Sequence, residues 1–250
     1  MRIKHKFHIS PTLLKRLETL IRVTTPIKKP GTKKSKDSYY TLACSFDIET
    51  SSVIIDGQRQ AFMYCWTFQI EDLKISGRKW EEFLQLINLI KETLEPKSRL
   101  VIYAHNLPFE FSFFSGFFDW GKVMAHDQNH IFYGETDNIE FRCSFALSCL
   151  SLAGVGKSLG LPKMMGDLDY SKIRHHDTPL SDKEWGYAFR DVEIVVKYIR
   201  KAIDKTGYFE DVPFTNTGYV RKDLKQACFP TKDAKNEYRR KYISPSRKTP

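Results

Sequence analysis

The sequence predicts an α/β protein built on a mixed β-sheet flanked by helices. Three observations carry this expectation. Two apolar runs, Tyr39 to Thr50 and Gln60 to Ile70, lie on either side of an Asp56-Gly57 turn signal. Beyond them, segments of helical periodicity alternate with short strand-like runs, so hairpin character comes first and helix–strand alternation follows. Hydrophobic residues make up 41% of the 250 residues and aromatics 14%, enough for a substantial core.

Taken in order, residues 1–38 are basic and interrupted by Pro11, Pro26 and Pro30. Lys28 to Lys36 reads by composition as a flexible cationic segment, more simply a solvated linker than a specific DNA contact. Tyr39 to Thr50 (Leu42, Ala43, Cys44, Phe46, Ile48) is expected as a buried strand, and Gln60 to Ile70 as its partner. Asp72 to Ser76 adds a short third strand. Trp80, Phe83, Leu84, Ile87, Ile90 and Leu94 fall at three- and four-residue spacing, which predicts an amphipathic helix ended by Pro96. A strand over Leu100 to Ala104 then leads into an aromatic helix over Phe109 to Phe118. Ile131–Gly134 and Ile139–Ser144 read as a hairpin, and Ser151 to Leu161 as a helix. Ser181 to Asp204 is the clearest helix, opened by the Ser181-x-x-Glu184 capping box. Residues 207–250 form a basic, linker-like tail with room for a helix over Lys232 to Tyr242. The expected division is therefore 1–38, 39–206 and 207–250.

A net charge of +10 and a pI near 9.3 point to a polyanionic partner, with nucleic acid first. No basic amphipathic helix with a clear apolar face speaks for a membrane. No apolar run approaches the ~20 residues that span a bilayer. The first residues, Met1 to Lys6, lack the apolar core of a secretory signal. Five scattered cysteines without a Cys-x-x-Cys pair predict reduced thiols and a cytoplasmic setting, with no zinc ribbon or disulfide framework.

Three short motifs carry the chemistry. In Phe46-Asp47-Ile48-Glu49-Thr50, strand alternation projects Asp47 and Glu49 to one side. Two acids side by side on a core strand repel unless a cation neutralises them, and hard oxygen ligands suit Mg²⁺ or Mn²⁺. A plain solvent-facing strand end would also accommodate the pair. In His105-Asn106-Leu107-Pro108-Phe109-Glu110, a strand runs into a helix; Asn106 could cap that helix, and Glu110 lies where a carboxylate suits the helix dipole. In Tyr187-Ala188-Phe189-Arg190-Asp191, the i, i+4 spacing puts phenol and carboxylate on one helix face, as many amphipathic helices also do.

In this order and on these elements, the three motifs resemble the exonuclease motifs of family B DNA polymerases, and most of all those of the protein-primed branch found in phages and linear plasmids. The likeness runs from Tyr39 to Arg221. Arg142-Cys143-Ser144-Phe145 is similar to a family segment whose Ser contacts the single strand, and Gly166-Asp167-Leu168-Asp169-Tyr170 to one whose Tyr lies near the primer end. Pro213 to Arg221 looks like the connection toward the polymerase palm.

The resemblance implies an RNase H-like (DEDD exonuclease) fold and 3′→5′ hydrolysis of single-stranded DNA ends with two Mg²⁺ or Mn²⁺ ions. It implies that Asp47 bridges both ions, that Glu49 and Asp191 complete one site, and that Glu110 serves the other. Tyr187 would orient the attacking water. Thr50, Asn106, Phe109 and Ser144 would hold the last nucleotides. A separate polymerase subunit becomes a candidate partner, and the host cytoplasm the setting if the protein is viral. No small-molecule cofactor is expected.

The sequence also departs from the family pattern. Glu110 stands where the family has Asp, which moves the carboxylate outward by about one C–C bond, ~1.5 Å. The family's Lys before Gly-Asp-x-Asp-Tyr is here Met165, and the nearest lysine is Lys163. The two aspartate motifs of polymerisation are missing from these 250 residues, so the expectation is an editing half without its synthetic half. Two alternatives stay open: a catalytically weak DNA-binding module or split-polymerase subunit, and an RNase H-like 3′→5′ exoribonuclease. Gly154 to Ser158 lacks the first Gly of a phosphate-binding loop. His126 and His130 flank a loop-like Gln128-Asn129 and are not read as a zinc pair.

Overall fold

The computed structural model describes residues 9–33, 36–127, 130–164 and 172–243. The chain divides into two compact units, Met1–Phe214 and Thr215–Pro250.

The first unit is built on a mixed sheet. Strand β2 (Cys44–Ile55) and strand β3 (Gln58–Ile70) form a long antiparallel hairpin. Its turn is Asp56-Gly57, with φ of 50° and 76°, the left-handed pair that a tight two-residue hairpin requires. Strand β4 (Leu73–Gly77) adds antiparallel to β3. Helix α2 (Trp80–Thr93) then crosses over to strand β5 (Ser98–Ala104), which pairs in parallel with β2. Helix α3 (Leu107–Phe114) leads on through strands β6 (Lys122–Ala125), β7 (Ile131–Thr136) and β8 (Ile139–Cys143). The sheet order is β4-β3-β2-β5-β8-β7-β6, with β5 and β8 parallel and β6, β7 and β8 antiparallel. Alternation gives the sheet two faces. Phe46 stacks on Phe83 of α2 at 4.2 Å and meets Phe114 of α3 edge-on at 5.9 Å. On the other face, beside Asp47, the Thr67 hydroxyl donates to the Ala188 carbonyl of helix α6 (Asp182–Thr206). Val192, Val195, Ile199 and Ile203 are the buried apolar stripe of α6.

Several elements differ from expectation. Residues 11–23, within the proline-interrupted basic segment, form helix α1 (Pro11–Val23), whose Leu17 and Ile21 are fully buried. Pro11 takes the first helical position, where its missing N–H costs nothing. Lys29 is pinned: its Nζ lies 2.7 Å from Asp211, and its N–H donates to Glu210. The strand expected from Tyr39 is interrupted: Ser38–Tyr39 is a separate strand, β1, paired with β5, and β2 begins only at Cys44. Glu71 causes the join, accepting from the Ala43 N–H and donating its own N–H back to the Ala43 carbonyl. The aromatic helix begins at Leu107 and ends at Phe114, where a single 3-10 turn takes over. The strand expected through Ser144 stops at Cys143, and Ser144–Ser148 forms helix α4. Gly154 to Ser158 lies inside helix α5 (Leu152–Ser158), in no phosphate-cradling loop.

The second unit consists of helices α7 (Asn216–Cys228) and α8 (Lys232–Tyr238), the latter extended by a wider turn over Arg239–Ile243. All five cysteines are free, and no helix is long and apolar enough to cross a membrane among the described residues.

Candidate metal centre

Asp47 and Glu49 stand on β2 on one side of the sheet, directly before a bulge between Glu49 and Thr50 that shifts the register with β3. Bulges re-aim side chains at strand ends, and this one marks where β2 leaves the packed sheet for the exposed hairpin arm. Asp191 projects from α6, whose Val192 and Val195 dock it on that face. One carboxylate oxygen each of Asp47, Glu49 and Asp191 lies within 4.8 Å of the other two.

Glu110 arrives from α3. Pro108 near the start of that helix and Asn106 at its N-cap fix where the first turn begins. Glu110 is 3% exposed and its charge acts on Asp47, so the longer side chain lies beside the three-acid cluster. Asn106 makes no side-chain cap bond and is exposed, which leaves its amide available. Lys163 also reaches the cluster, its Nζ 2.7 Å from Asp191 and 5.4 Å from the ring of buried Tyr187.

Four acids thus face one lysine in contact, and their protonation reflects it. Burial pushes Asp47 well above the ordinary aspartate range, reinforced by the charges of Asp191, Glu110 and Glu49. Burial, then Asp191, raises Glu49 to about 7 against the pull of Lys163 and Arg174. Burial raises Glu110 to about 8 against the lowering influence of its own backbone and of neighbouring Asp47. Asp191 is raised too, because burial outweighs its Lys163 partner. At Lys163 burial opposes the charge, but Asp191, Asp47 and Glu49 prevail and hold it protonated.

A divalent cation fits these residues. The donors are all carboxylate oxygens, the set that hard cations such as Mg²⁺ and Mn²⁺ take. Glu110 Oε2 and Asp191 Oδ1 are buried without a hydrogen-bond partner among the described residues. Such orphaned oxygens carry a desolvation penalty of about 1–3 kcal/mol or more each, which a ligand can remove.

The other expected residues lie as follows. Thr50 is half-buried just past the bulge, and Phe109 is 40% exposed with its ring edge-on to Phe113 at 5.2 Å. Ser144 is only 1% exposed, its Oγ 3.0 Å from His105 Nδ1, so it stands behind the surface. Tyr170 lies outside the described residues. Sequence reasoning missed Arg174. It is 4% exposed, its N–H donates to Ser51 on the hairpin, and its guanidinium pairs with Glu184 at 2.8 Å. The capping box at Ser181 hinted at Glu184 but gave no sign of a second role.

Parallel β2, β5 and β8, antiparallel edges and an acid cluster between sheet and helix define an RNase H-like architecture. No protein-family model and no curated protein matches the chain. Among solved structures, it is similar to Phi29 DNA polymerase complexed with primer-template DNA and incoming nucleotides (TM-score 0.60, 17% identity, 74% of this chain and 34% of that one). It is similar to the same polymerase in its post-translocation complex with primer-template DNA (0.61, 16%, 78% and 38%) and in complex with single-stranded DNA (0.59, 17%, 74% and 34%). The chain therefore spans somewhat over a third of the polymerase chains it matches, and at this identity the likeness establishes the fold.

Proposed function

We propose that this protein is a 3′→5′ exonuclease that hydrolyses single-stranded DNA ends with two divalent cations. The observation that carries this reading is the cluster of Asp47, Glu49 and Asp191 from β2 and α6, with Glu110 of α3 beside Asp47 and with Glu110 Oε2 and Asp191 Oδ1 buried without a partner among the described residues. Asp47, Glu49 and Asp191 would hold one Mg²⁺ or Mn²⁺, and Asp47 with Glu110 the other. Bound there, the cations would lower the pKa of the attacking water and neutralise charge on the leaving oxygen. Tyr187 orients that water from the same helix face as Asp191. Lys163 offers its ammonium to the scissile phosphate. Thr50 and Asn106 hold the terminal nucleotide, with Phe109 under its base, where stacking contributes about 1–3 kcal/mol. Ser144, its Oγ 3.0 Å from His105 Nδ1, is assigned with them to the last nucleotides, and Tyr170 to the same primer-end group. DNA is favoured over RNA because the solved structures that match at a TM-score near 0.6 are of a DNA polymerase, one of them in complex with single-stranded DNA. The nuclease proper is assigned to 39–206, acting in the cytoplasm, with a polymerase subunit in trans as the partner that fits an editing role.

The test is digestion of end-labelled single-stranded DNA and RNA with Mg²⁺ or Mn²⁺, beside Asp47→Ala. Stepwise loss from the DNA 3′ end is expected, falling on the order of a thousandfold or more in the variant. Metal-independent digestion, or equal digestion by the variant, would sink the assignment, and preference for RNA would redirect it to an exoribonuclease.

A further inference from the structure

The positive charge of this protein is not spread evenly. The second unit, Thr215–Pro250, holds ten of the forty Lys and Arg residues but only three of the thirty Asp and Glu. It therefore carries seven of the ten surplus charges in about a seventh of the chain. A run of charge on a helix is most simply a solvated face, and three further observations argue for more than that here.

First, the unit has no core among its described residues. No side chain between Thr215 and Tyr242 is buried, in α7, in α8 or in the turn between them. A segment this short cannot bury enough apolar surface to hold itself together well, so a partner that neutralises its charge would stabilise it. Second, two of its aromatic rings stand largely in water. Phe229, Tyr238 and Tyr242 form a column with centroids 5.1 and 5.0 Å apart, and Tyr238 and Tyr242 are 44% and 61% exposed. Third, cations lie beside that column. Arg239, Arg240 and Lys241 lie in sequence between the two tyrosines, and Lys241 Nζ is 5.3 Å from the Tyr242 ring.

Exposed rings beside clustered cations are what a single strand needs, since any base can stack and every phosphate is an anion. A membrane surface needs a continuous apolar helix face instead. On α7 the exposed Val220 and Leu224 share a face at i, i+4 spacing, but these two residues alone make no continuous apolar face, and Arg221, Lys222 and Lys225 flank them.

We propose that the second unit is a binding site for single-stranded nucleic acid, with Arg239, Arg240 and Lys241 on phosphates and Tyr238 and Tyr242 stacking bases. The site needs nothing from the carboxylate cluster, so it stands or falls separately from the nuclease assignment.

The test is fluorescence anisotropy of the full chain with labelled oligothymidylate, in chelator so that no hydrolysis intervenes, across a KCl titration. Arg239→Ala/Arg240→Ala/Lys241→Ala should weaken binding by about tenfold or more and reduce the slope of log K against log salt by about 2, since each single-strand phosphate contact contributes roughly 0.7. Tyr238→Ala/Tyr242→Ala should weaken it by about tenfold with the slope unchanged, and Tyr238→Phe/Tyr242→Phe should retain it. Arg239→Lys/Arg240→Lys should keep the slope, which a merely structural role for the arginines would not require. Unchanged affinity and slope in both alanine variants would overturn the proposal. So would binding to phosphatidylserine vesicles that these variants abolish while oligothymidylate binding stays intact.

Discussion

Two groups of buried charge sit on the same sheet and have opposite characters. On β8, Glu140 and Arg142 are 2% and 3% exposed, and every charge is answered. Arg142 Nε donates to Glu140 Oε2 at 2.9 Å, the Tyr39 hydroxyl donates to Glu140 Oε1 at 2.8 Å, and Arg99 stands 3.6 Å away. The guanidinium also lies 4.5 Å from the Phe214 ring. On β2, Asp47 and Glu49 meet two more acids and a single lysine in contact, with carboxylate oxygens left over. A buried charge satisfied within the chain is architecture. One left unanswered, at a cost in stability, marks where something else is meant to bind.

The contrast can be broken most forcefully at Arg142. Arg142→Met leaves Glu140 buried without its main partner and should cost about 3–5 kcal/mol in urea denaturation, most of it restored in the Glu140→Gln/Arg142→Met double variant. An equal loss in single and double variants would mean that the pair is not what matters there.

At the acid cluster the sign reverses. Burial raises the folded-state pKa of Asp47, Glu49, Glu110 and Asp191 above the unfolded carboxylate range of about 4. Between that range and about 7 to 8, the folded chain binds more protons than the unfolded one, so stability falls as pH rises, by up to about 1.4 kcal/mol per pH unit per group. The melting temperature in chelator should therefore drop from pH 5 to pH 8. Mg²⁺ or Mn²⁺ should flatten that drop, and Asp47→Asn should reduce it while abolishing activity. A profile that rises with pH in chelator would show that the acids are not crowded as described.

A subtler probe is Gly156. A β-carbon there would meet the Leu161 carbonyl at 2.5 Å and the Lys163 backbone nitrogen at 3.3 Å. Gly156→Ala should cost about 1–3 kcal/mol through overpacking and lower activity more than stability, because it moves the lysine that holds Asp191. Unaltered turnover alongside a lowered melting point would detach Lys163 from the chemistry.

The acids were legible where local geometry alone sets their direction. Strand alternation aims Asp47 and Glu49 together, and the i, i+4 interval aims Tyr187 with Asp191. Lys163 was legible only as the nearest candidate, since its reach depends on how α5 packs against α6. Arg174 was invisible because its burial comes from a loop folding over the hairpin, a tertiary fact with no periodic signature. Helix α1 was readable after all: Leu13, Leu14, Leu17, Leu20 and Ile21 keep helical spacing behind a proline at the first position. Counting prolines as interruptions hides it. Helix α7 offers no such stripe, and its polar, Gly-containing sequence reads naturally as a connector.

The assembly of the acids from β2, α3 and α6 has a consequence in time. Each acid alone belongs to a local segment that can form early, but the cluster exists only once the last long helix docks across the hairpin. Contacts between segments so far apart in the chain form late, because the loop they close is long. Partly folded chains, such as those emerging during synthesis, thus lack the constellation, and the acids come together only when the sheet is covered.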